Sequence, residues 1–238
     1  MKKICYIVAM RAEAHPFIEE FQLHEVKDYF APYPFILYQG TVGQMELSVV
    51  LNGEQHGSDL VGCEAASITT YAAIERLHPD LVINSGTCGA FKADGAKIAD
   101  IYIGNAVMFH DRRVPGDDAW GTQALGNYPL WSQSEALAEV LAFKIGKVTT
   151  GSSLDMQPID LEIIRSNGGQ LKDMEAAAIA FTCSLTHTPL LLVKSVTDLC
   201  DGGEKTFEEF SKNLSAASQA LRVANTRIIY YLAEHCCQ

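Results

Sequence analysis

Basic residues are scarce in this chain, in which 18 Lys and Arg stand against 29 Asp and Glu for a formal net charge of −11. Nucleic acids and anionic membrane surfaces both favour proteins with clusters of Lys and Arg. Neither is therefore expected as a partner. Long apolar runs are missing as well, because stretches such as residues 4–10 and 189–193 are far shorter than the roughly 20 residues of a membrane-spanning helix.

The N-terminal residues lack the charged, apolar and small-residue segments of a secretion signal, so a cytoplasmic location is expected. The seven cysteines are odd in number and most lie in apolar contexts, which is typical of reduced thiols. Neither the histidines nor the cysteines, including the adjacent Cys236 and Cys237 near the terminus, show zinc-ligand spacing. No metal and no cofactor is expected.

Strand and helix patterns alternate along the chain with no linker, repeat or low-complexity tract between them. Continuous apolar runs predict buried strands, and apolar residues at helical spacing predict helices. Strands are predicted at 3–10, 36–40, 45–51, 80–84, 99–108, 147–151 and 190–196, and helices at 13–21, 58–77, 137–143, 174–185 and from 206 onwards. The alternation favours one α/β domain over residues 1–238 with a mostly parallel central sheet.

Local signals refine three of these boundaries. Ser58 is expected to cap the second helix, and Thr206 with Glu209 forms a capping-box pattern at the start of the last one. Residues 112–128 are rich in Gly, Pro, Asp and Asn and predict a long loop. Long loops in compact domains are usually functional or disordered.

Two carboxylates follow predicted strands in the C-terminal third. Glu175 comes after the stretch 169–172, and Asp198 comes after the apolar run 190–196. In an open α/β sheet, ligands bind in the crevice outside the carboxyl ends of the strands. An acid that emerges from a buried strand usually has a partner or a task, and Thr197 is placed to hold the Asp198 carboxylate. The pattern indicates two acids with different roles on one small molecule.

Small residues follow two further predicted strands, in SGTCGA (85–90) and GSS (151–153). Neither segment matches a Walker loop or a GxGxxG fingerprint. Glu13 follows the first strand, as Glu175 follows a later one, and a structural explanation competes for both acids. An acid in the first turn of a helix is favoured by the helix dipole alone, and from position this explanation is the stronger one for Glu13. Taken together, the strand ends outline one pocket.

Six stretches resemble, in order, the 5′-methylthioadenosine/S-adenosylhomocysteine nucleosidase family of the nucleoside phosphorylase superfamily, and its plant-type branch in particular. They are AMRAE (9–13), VINSGTCGAF (82–91), FHDRRV (109–114), TGSSLDM (150–156), LKDMEAAA (171–178) and KSVTDLCDG (194–202). The resemblance extends from residue 3 to about residue 232. It implies an α/β fold, namely a single-domain, three-layer α/β/α sandwich with a mixed, barrel-like central sheet, and a homodimer.

The same resemblance implies hydrolysis of the N-glycosidic bond of 5′-methylthioadenosine to adenine and 5-methylthioribose in methionine salvage, with S-adenosylhomocysteine as a second candidate substrate. Glu13 matches the general base that activates water, Asp198 the general acid that protonates adenine at N7, and Glu175 the acid that binds the ribose 2′-hydroxyl. Burial can keep a carboxyl such as Asp198 protonated, and nearby carboxylates stabilise a cation-like ribosyl group.

The resemblance also implies a set of substrate-binding residues: Met10, Thr87, Val114, Leu154, Asp155, Lys172, Asp173, Met174, Thr197 and Phe207. Met174 is expected under the sugar, whereas Leu154 and Asp155 flank adenine. Phe207 matches an aromatic residue that closes on the ligand. Val114 matches a position that reaches into the neighbouring subunit's 5′-alkylthio pocket.

Two other functions compete with hydrolysis. Related phosphorylases hold a phosphate nucleophile with arginines, for which Arg11, Arg112 and Arg113 are candidates. Solvated surface charge is the preferred explanation for all three, because Glu13 would repel a phosphate anion. A non-catalytic nucleoside-binding protein is the third candidate, and it is disfavoured because the acids at 13, 175 and 198 are all present.

Overall fold

The computed structural model describes residues 1–114 and 118–235. Cys236 and Cys237 lie outside the described residues, as do residues 115–117 of the predicted loop at 112–128. Among the helices of the described ranges, none is both long enough and apolar enough to cross a membrane.

Strands and helices alternate along most of the described chain. The strands are β1 (Lys3–Val8), β2 (His24–Val26), β3 (Ile36–Val42), β4 (Met45–Leu51), β5 (Glu54–Gln55), β6 (Ser58–Asp59), β7 (Leu81–Ala90), β8 (Ile101–Phe109), β9 (Lys144–Thr150), β10 (Leu171–Asp173) and β11 (Leu190–Leu199). The helices are α1 (Arg11–Glu20), α2 (Cys63–Leu77), α3 (Asp118–Leu125), α4 (Ser134–Val140), α5 (Pro158–Ser166), α6 (Ala176–Leu185) and α7 (Thr206–His235).

The main sheet has the strand order β10-β9-β8-β11-β7-β1-β4-β3-β2, and β10 pairs a second time, with β7. This second pairing closes β7, β11, β8, β9 and β10 into a five-stranded barrel, from which β1, β4, β3 and β2 continue as an open sheet. Neighbours of β1 and of β9 run parallel, whereas β8 against β11 and β10 against β7 are antiparallel. The implied mixed, barrel-like sheet is confirmed, and the expectation of a mostly parallel sheet is too simple.

Alternating side chains of the central strands divide the interior into two apolar cores. In β1, Cys5 and Ile7 point to the core under α2 and α6, whereas Ile4 and Tyr6 point to the core under α1, α4 and α7. Successive side chains of a strand point to opposite faces, so an apolar run buried on both faces needs helices on both sides. The three-layer α/β/α arrangement is therefore confirmed.

Several predicted boundaries differ from the structure, and the strand predicted at 80–84 continues as β7 to Ala90, so that SGTCGA lies within the strand. Ser58 does not cap a helix but pairs with Gln55 in the β5–β6 hairpin, and α2 begins after Gly62, whose φ of 98° suits glycine. The helix predicted at 137–143 begins earlier, at Ser134. The predicted loop 112–128 contains α3, which buries Ala124; a glycine within that helix and prolines around it concealed the helical pattern.

Candidate active site

A cavity of about 210 Å³ lies at the carboxyl ends of β1, β7, β10 and β11, the edge at which the sequence predicted a pocket. The residues predicted for the site that line this cavity are Met10, Glu13, Thr87, Leu154, Lys172, Asp173, Met174, Glu175, Thr197 and Asp198. Glu13, Glu175 and Asp198, the three acids for which different catalytic roles were predicted, thus line the same cavity.

Glu13 reaches the cavity because it is the third residue of α1, where a side chain can turn back over the helix start. Its Oε2 accepts a hydrogen bond from the Met10 backbone N–H (3.2 Å). Its Oε1 accepts two more, from the Thr87 backbone N–H (2.7 Å) and from Thr87 Oγ1 (2.8 Å). Burial raises the pKa of Glu13, and the Thr87 bonds and the charge of Lys194 oppose that rise.

Asp198 lies near the end of β11, with only 3% of its surface exposed. Thr197 Oγ1 lies 2.8 Å from Asp198 Oδ1 and 3.2 Å from the Cys88 carbonyl oxygen, in agreement with the predicted holding role of Thr197. Burial raises the pKa of Asp198, the Thr197 hydrogen bond opposes the rise, and the negative charge of Glu209 adds to it. Such an acid retains its proton to higher pH than an exposed aspartic acid.

Glycines in the SGTCGA segment leave room for these acids. A Cβ at position 89 would lie 2.7 Å from Asp198 Oδ2, which is closer than a real Cβ contact. A Cβ at position 86 would lie 3.4 Å from Glu13 Oε1 and 3.6 Å from Lys194 Nζ. The glycine at position 89 therefore allows the β7 backbone to approach the Asp198 carboxyl group closely.

Glu175 directly precedes α6, and its Oε1 accepts a hydrogen bond from the Gly62 backbone N–H at 2.7 Å. Burial raises the pKa of Glu175, and the neighbouring charge of Asp173 raises it further, against the opposing charge of Lys194. Both acids for which the sequence left a purely structural explanation open thus point into the cavity, each held by backbone donors.

A buried ion pair lies beneath the acids. Lys194 Nζ is 2.7 Å from Asp173 Oδ2, and both side chains are almost fully enclosed. Burial alone would lower the pKa of Lys194, but the charges of Asp173, Glu175 and Glu13 outweigh it, so the pKa lies above its usual value. Asp173 also accepts hydrogen bonds from Thr150 Oγ1 and the Ala176 backbone N–H. Its carboxylate is fully engaged by protein groups, although the residue lines the cavity.

Lys172 holds one wall of the cavity in place. Its Nζ donates to the carbonyl oxygens of Ser153 (2.6 Å) and Leu154 (3.0 Å). The GSS turn after β9 is thereby fixed next to the strand that carries Lys172, and Leu154 is fixed against the cavity. Lys172 acts in this structure as a support for the wall.

Three predicted site residues lie outside the lining of the cavity. Asp155 is exposed and accepts a hydrogen bond from Gln157 Nε2, Val114 is exposed, and Phe207 is 67% exposed at the start of α7. Phe210, one helical turn after Phe207, lines the cavity instead, together with Val61. Lys194 was not predicted for the site either, although a lysine inside the apolar run 190–196 is a signal for a buried cation.

The three arginines considered for phosphate binding lie away from the acids. Arg11 is 3.0 Å from Glu54 Oε2 on the β5–β6 hairpin, Arg113 is 3.9 Å from Asp160 Oδ1, and Arg112 lies over the Phe109 ring. All three are exposed, and none lines the cavity as far as residues 1–114 and 118–235 are concerned. Within those same ranges, no group of three or more His, Cys, Asp or Glu is arranged to hold a metal ion.

Comparison with known proteins extends this description. Residues 3–229 match the model of the phosphorylase superfamily. The sequence is 38% identical to a 5′-methylthioadenosine/S-adenosylhomocysteine nucleosidase of Arabidopsis thaliana, over 98% of this chain and 92% of that protein. The chain belongs to this nucleosidase family. A second Arabidopsis member of the family, a 5′-methylthioadenosine nucleosidase, is 40% identical over 98% of this chain and 88% of its own length.

Solved structures give the nucleosidase fold independently. The apo form of Arabidopsis 5′-methylthioadenosine nucleosidase superposes with a TM-score of 0.94 at 38% identity, covering 98% of this chain and 96% of its own. A futalosine hydrolase of Helicobacter pylori, at 20% identity, superposes with a TM-score of 0.81 over 97% of this chain and 98% of its own. At that identity the likeness concerns the fold alone.

Proposed function

We propose that this protein is an N-glycosyl hydrolase that converts 5′-methylthioadenosine to adenine and 5-methylthioribose in methionine salvage. The observation that carries the proposal is the convergence of Glu13, Glu175 and Asp198 on one cavity in a member of the nucleosidase family. The free thiols of Cys5, Cys88 and Cys183 fit a reducing compartment, and we place the enzyme in the cytoplasm.

Asp198 supplies the proton that adenine needs in order to leave. Adenine is a poor leaving group as an anion, so protonation at N7 lowers the barrier to cleavage. The buried carboxyl of Asp198 has a raised pKa, and its Oδ1 is held by Thr197 while Oδ2 faces the glycine at position 89. The raised pKa favours the protonated carboxyl group, and these contacts fix its position in the cavity.

Glu13 and Glu175 act on the sugar. As the bond to adenine breaks, the ribosyl group becomes cation-like, and carboxylates near it stabilise that charge. Glu175 is assigned to the 2′-hydroxyl, with Met174 under the ring. Glu13, fixed by Thr87, takes the proton from the attacking water. Lys194 offsets the charge of these acids from below, so that several carboxylates can share one buried site.

Water is favoured over phosphate as the nucleophile. A phosphate anion at the sugar would lie beside the Glu13 carboxylate. The two buried lysines near the acids are already engaged, Lys194 by Asp173 and Lys172 by the carbonyl oxygens of Ser153 and Leu154. The exposed arginines are engaged on the surface instead. Repulsion between phosphate and Glu13 is strong where water is excluded, because the effective dielectric constant is low there.

The proposal is tested by incubating the wild-type protein with 5′-methylthioadenosine, first in phosphate-free buffer and then with phosphate added. Adenine release is expected at the same rate in both buffers, with free 5-methylthioribose as the sugar product. Release that requires phosphate and yields a 1-phosphate would identify a phosphorylase. S-adenosylhomocysteine, assayed in parallel, measures the second candidate substrate directly.

We further propose that a second copy of the chain covers the outer faces of α2 and α6. Large apolar side chains stand exposed there: Ile68 (54%) and Tyr71 (56%) on α2, and Leu185 (66%) on α6. Exposed apolar side chains grouped in this way are typical of association surfaces. The exposed Val114 would then face the partner, as the family resemblance implies.

A double substitution, Ile68→Asp with Leu185→Asp, is expected to convert a wild-type dimer into a monomer, because burying two new carboxylates at the contact is costly. Multi-angle light scattering after gel filtration measures the change. Val223→Asp is the matched control, since Val223 is an exposed apolar residue of α7 on the other side of the sheet. A monomeric wild-type protein, or a double variant that remains dimeric, would exclude this surface.

A further inference from the structure

Two side chains of α7 bind the backbone on either side of Asp198. Asn213 Nδ2 donates a hydrogen bond to the Thr197 carbonyl oxygen at 2.9 Å. Glu209 Oε2 accepts a hydrogen bond from the Leu199 backbone N–H at 3.0 Å. The two residues are four positions apart, so they lie one above the other on the same face of the helix. We call Glu209 and Asn213, with these two bonds, the α7 clamp.

The clamp acts where β11 is irregular. Val196 is paired with Cys88 and Asp198 with Gly89, so two residues of β11 advance while β7 advances by one. Such a bulge leaves the extra residue outside the regular ladder and re-aims a neighbouring side chain. In β11 the bulge directs the side chain of Asp198 towards the cavity. The backbone at the bulge therefore needs partners from elsewhere, and α7 supplies them.

Glu209 is not placed as the sequence predicted. In a capping box with Thr206, its carboxylate would bind the backbone at the start of its own helix. The helix does begin at Thr206, but Glu209 reaches across to β11 and is only 8% exposed. A buried carboxylate costs free energy unless it is well bonded, so its position here is held by the Leu199 N–H.

We propose that Glu209 and Asn213 are positioning residues, which fix the backbone on both sides of Asp198 so that its carboxyl group meets the leaving base. The inference rests on the proposed function. It adds to the proposed site two residues that do not line the cavity themselves. The clamp also ties Asp198 to the helix turn that carries Phe210, which lines the cavity.

The test measures kcat and KM for adenine release in Glu209→Ala and Asn213→Ala. Each is expected to lower kcat about 10- to 100-fold with little change in KM, because small misplacements of a catalytic group have effects of this size. Glu209→Gln keeps an acceptor for the Leu199 N–H, so it is expected to restore most of kcat. Glu208→Gln and Lys212→Ala are matched controls, since both residues are exposed on the same helix.

A pH profile separates positioning from general stability. The groups facing Asp198 are the carboxylate of Glu209 on α7, the ammonium of Lys172 on β10, and the thiols of Cys88 and Cys200. Glu209→Gln removes a negative charge that raises the pKa of Asp198, so the alkaline limb of kcat is expected to move to lower pH. Asn213→Ala is expected to lower kcat without moving that limb.

The outcomes discriminate between the two proposals. A wild-type protein that releases no adenine contradicts the proposed function. An active wild type, combined with wild-type kcat in folded Asn213→Ala and Glu209→Ala, overturns the clamp. If Glu209→Ala does not fold, the other two variants decide. Wild-type kcat in Asn213→Ala together with an unmoved alkaline limb in Glu209→Gln would overturn the proposed role of the clamp.

Discussion

Replacing Asp198 by Asn is expected to lower the rate of adenine release by about 10²–10⁴-fold, the usual contribution of one general acid. The carboxamide has nearly the shape of the carboxyl group and can still bond to Thr197 Oγ1, but it has no proton to give to adenine. Binding of 5′-methylthioadenosine, measured by calorimetry, is expected to persist. The rate is measured as adenine released per enzyme in phosphate-free buffer.

Thermal unfolding provides the control for this variant. Burial raises the pKa of Asp198 in the folded state above its unfolded value, so ionisation of this group opposes folding once the pH exceeds the unfolded pKa. Asparagine removes that cost, and the melting temperature near pH 7 is expected to equal or exceed that of the wild type. An inactive variant with a lowered melting temperature would point to misfolding, and near wild-type turnover would refute the assignment of Asp198 as the acid.

The same pKa direction fixes the sign of the pH dependence. Asp198 must carry its proton to act, so kcat of the wild type is expected to fall as the pH rises through the raised pKa of this group. In Asp198→Asn that alkaline limb is expected to disappear from the residual activity. Glu209 and Lys172 shift the limb in opposite directions, since one charge raises the pKa of Asp198 and the other lowers it.

Glu13→Gln is expected to reduce hydrolysis by about 10²–10⁴-fold, because an amide cannot accept a proton from the attacking water. The amide oxygen can still accept the two hydrogen bonds from Thr87, so the side chain should keep its position against β7, with loss of the bond that Oε2 accepts from the Met10 backbone N–H. Substrate affinity is therefore expected to stay close to that of the wild type in calorimetry. The two measurements together separate a catalytic role from a structural one.

Glu19→Gln is the matched control for this substitution, since Glu19 is an exposed acid on the same helix. It is expected to leave both rate and affinity unchanged. A Glu13→Gln variant that loses affinity and melting temperature together would instead support the explanation that position alone favoured, in which the acid serves the start of α1.

The acids could be predicted because the evidence for them is local. Asp198 follows a run of apolar residues that only a buried strand explains, and the strand order then places its end next to that of β7. Glu175 and Glu13 follow the same logic, since each lies at the start of a helix that follows a strand. A parallel arrangement of strands brings such positions to one edge of the sheet.

Other features depend on contacts between distant parts of the chain. Closure of the barrel requires Lys172 to pair with Gly89, a register that no local pattern encodes. The resemblance pointed to Phe207, and only the docking of α7 on β11 places Phe210 at the cavity instead. The partner of Glu209 could not be predicted either. It is the backbone N–H of Leu199, and a backbone donor cannot be recognised from the pattern of side chains.

The double pairing of β7 gives the acids of the site a continuous hydrogen-bonded support. Its first residues hydrogen-bond with β1 and its last with β10, so the strand runs from the open sheet into the barrel and carries Thr87 at the junction. Amide hydrogens along it should exchange slowly even without ligand. The exposed Val114 and Phe207 lie on segments outside this framework, where substitutions and insertions can accumulate. These outer segments can therefore change while the acids keep their spacing.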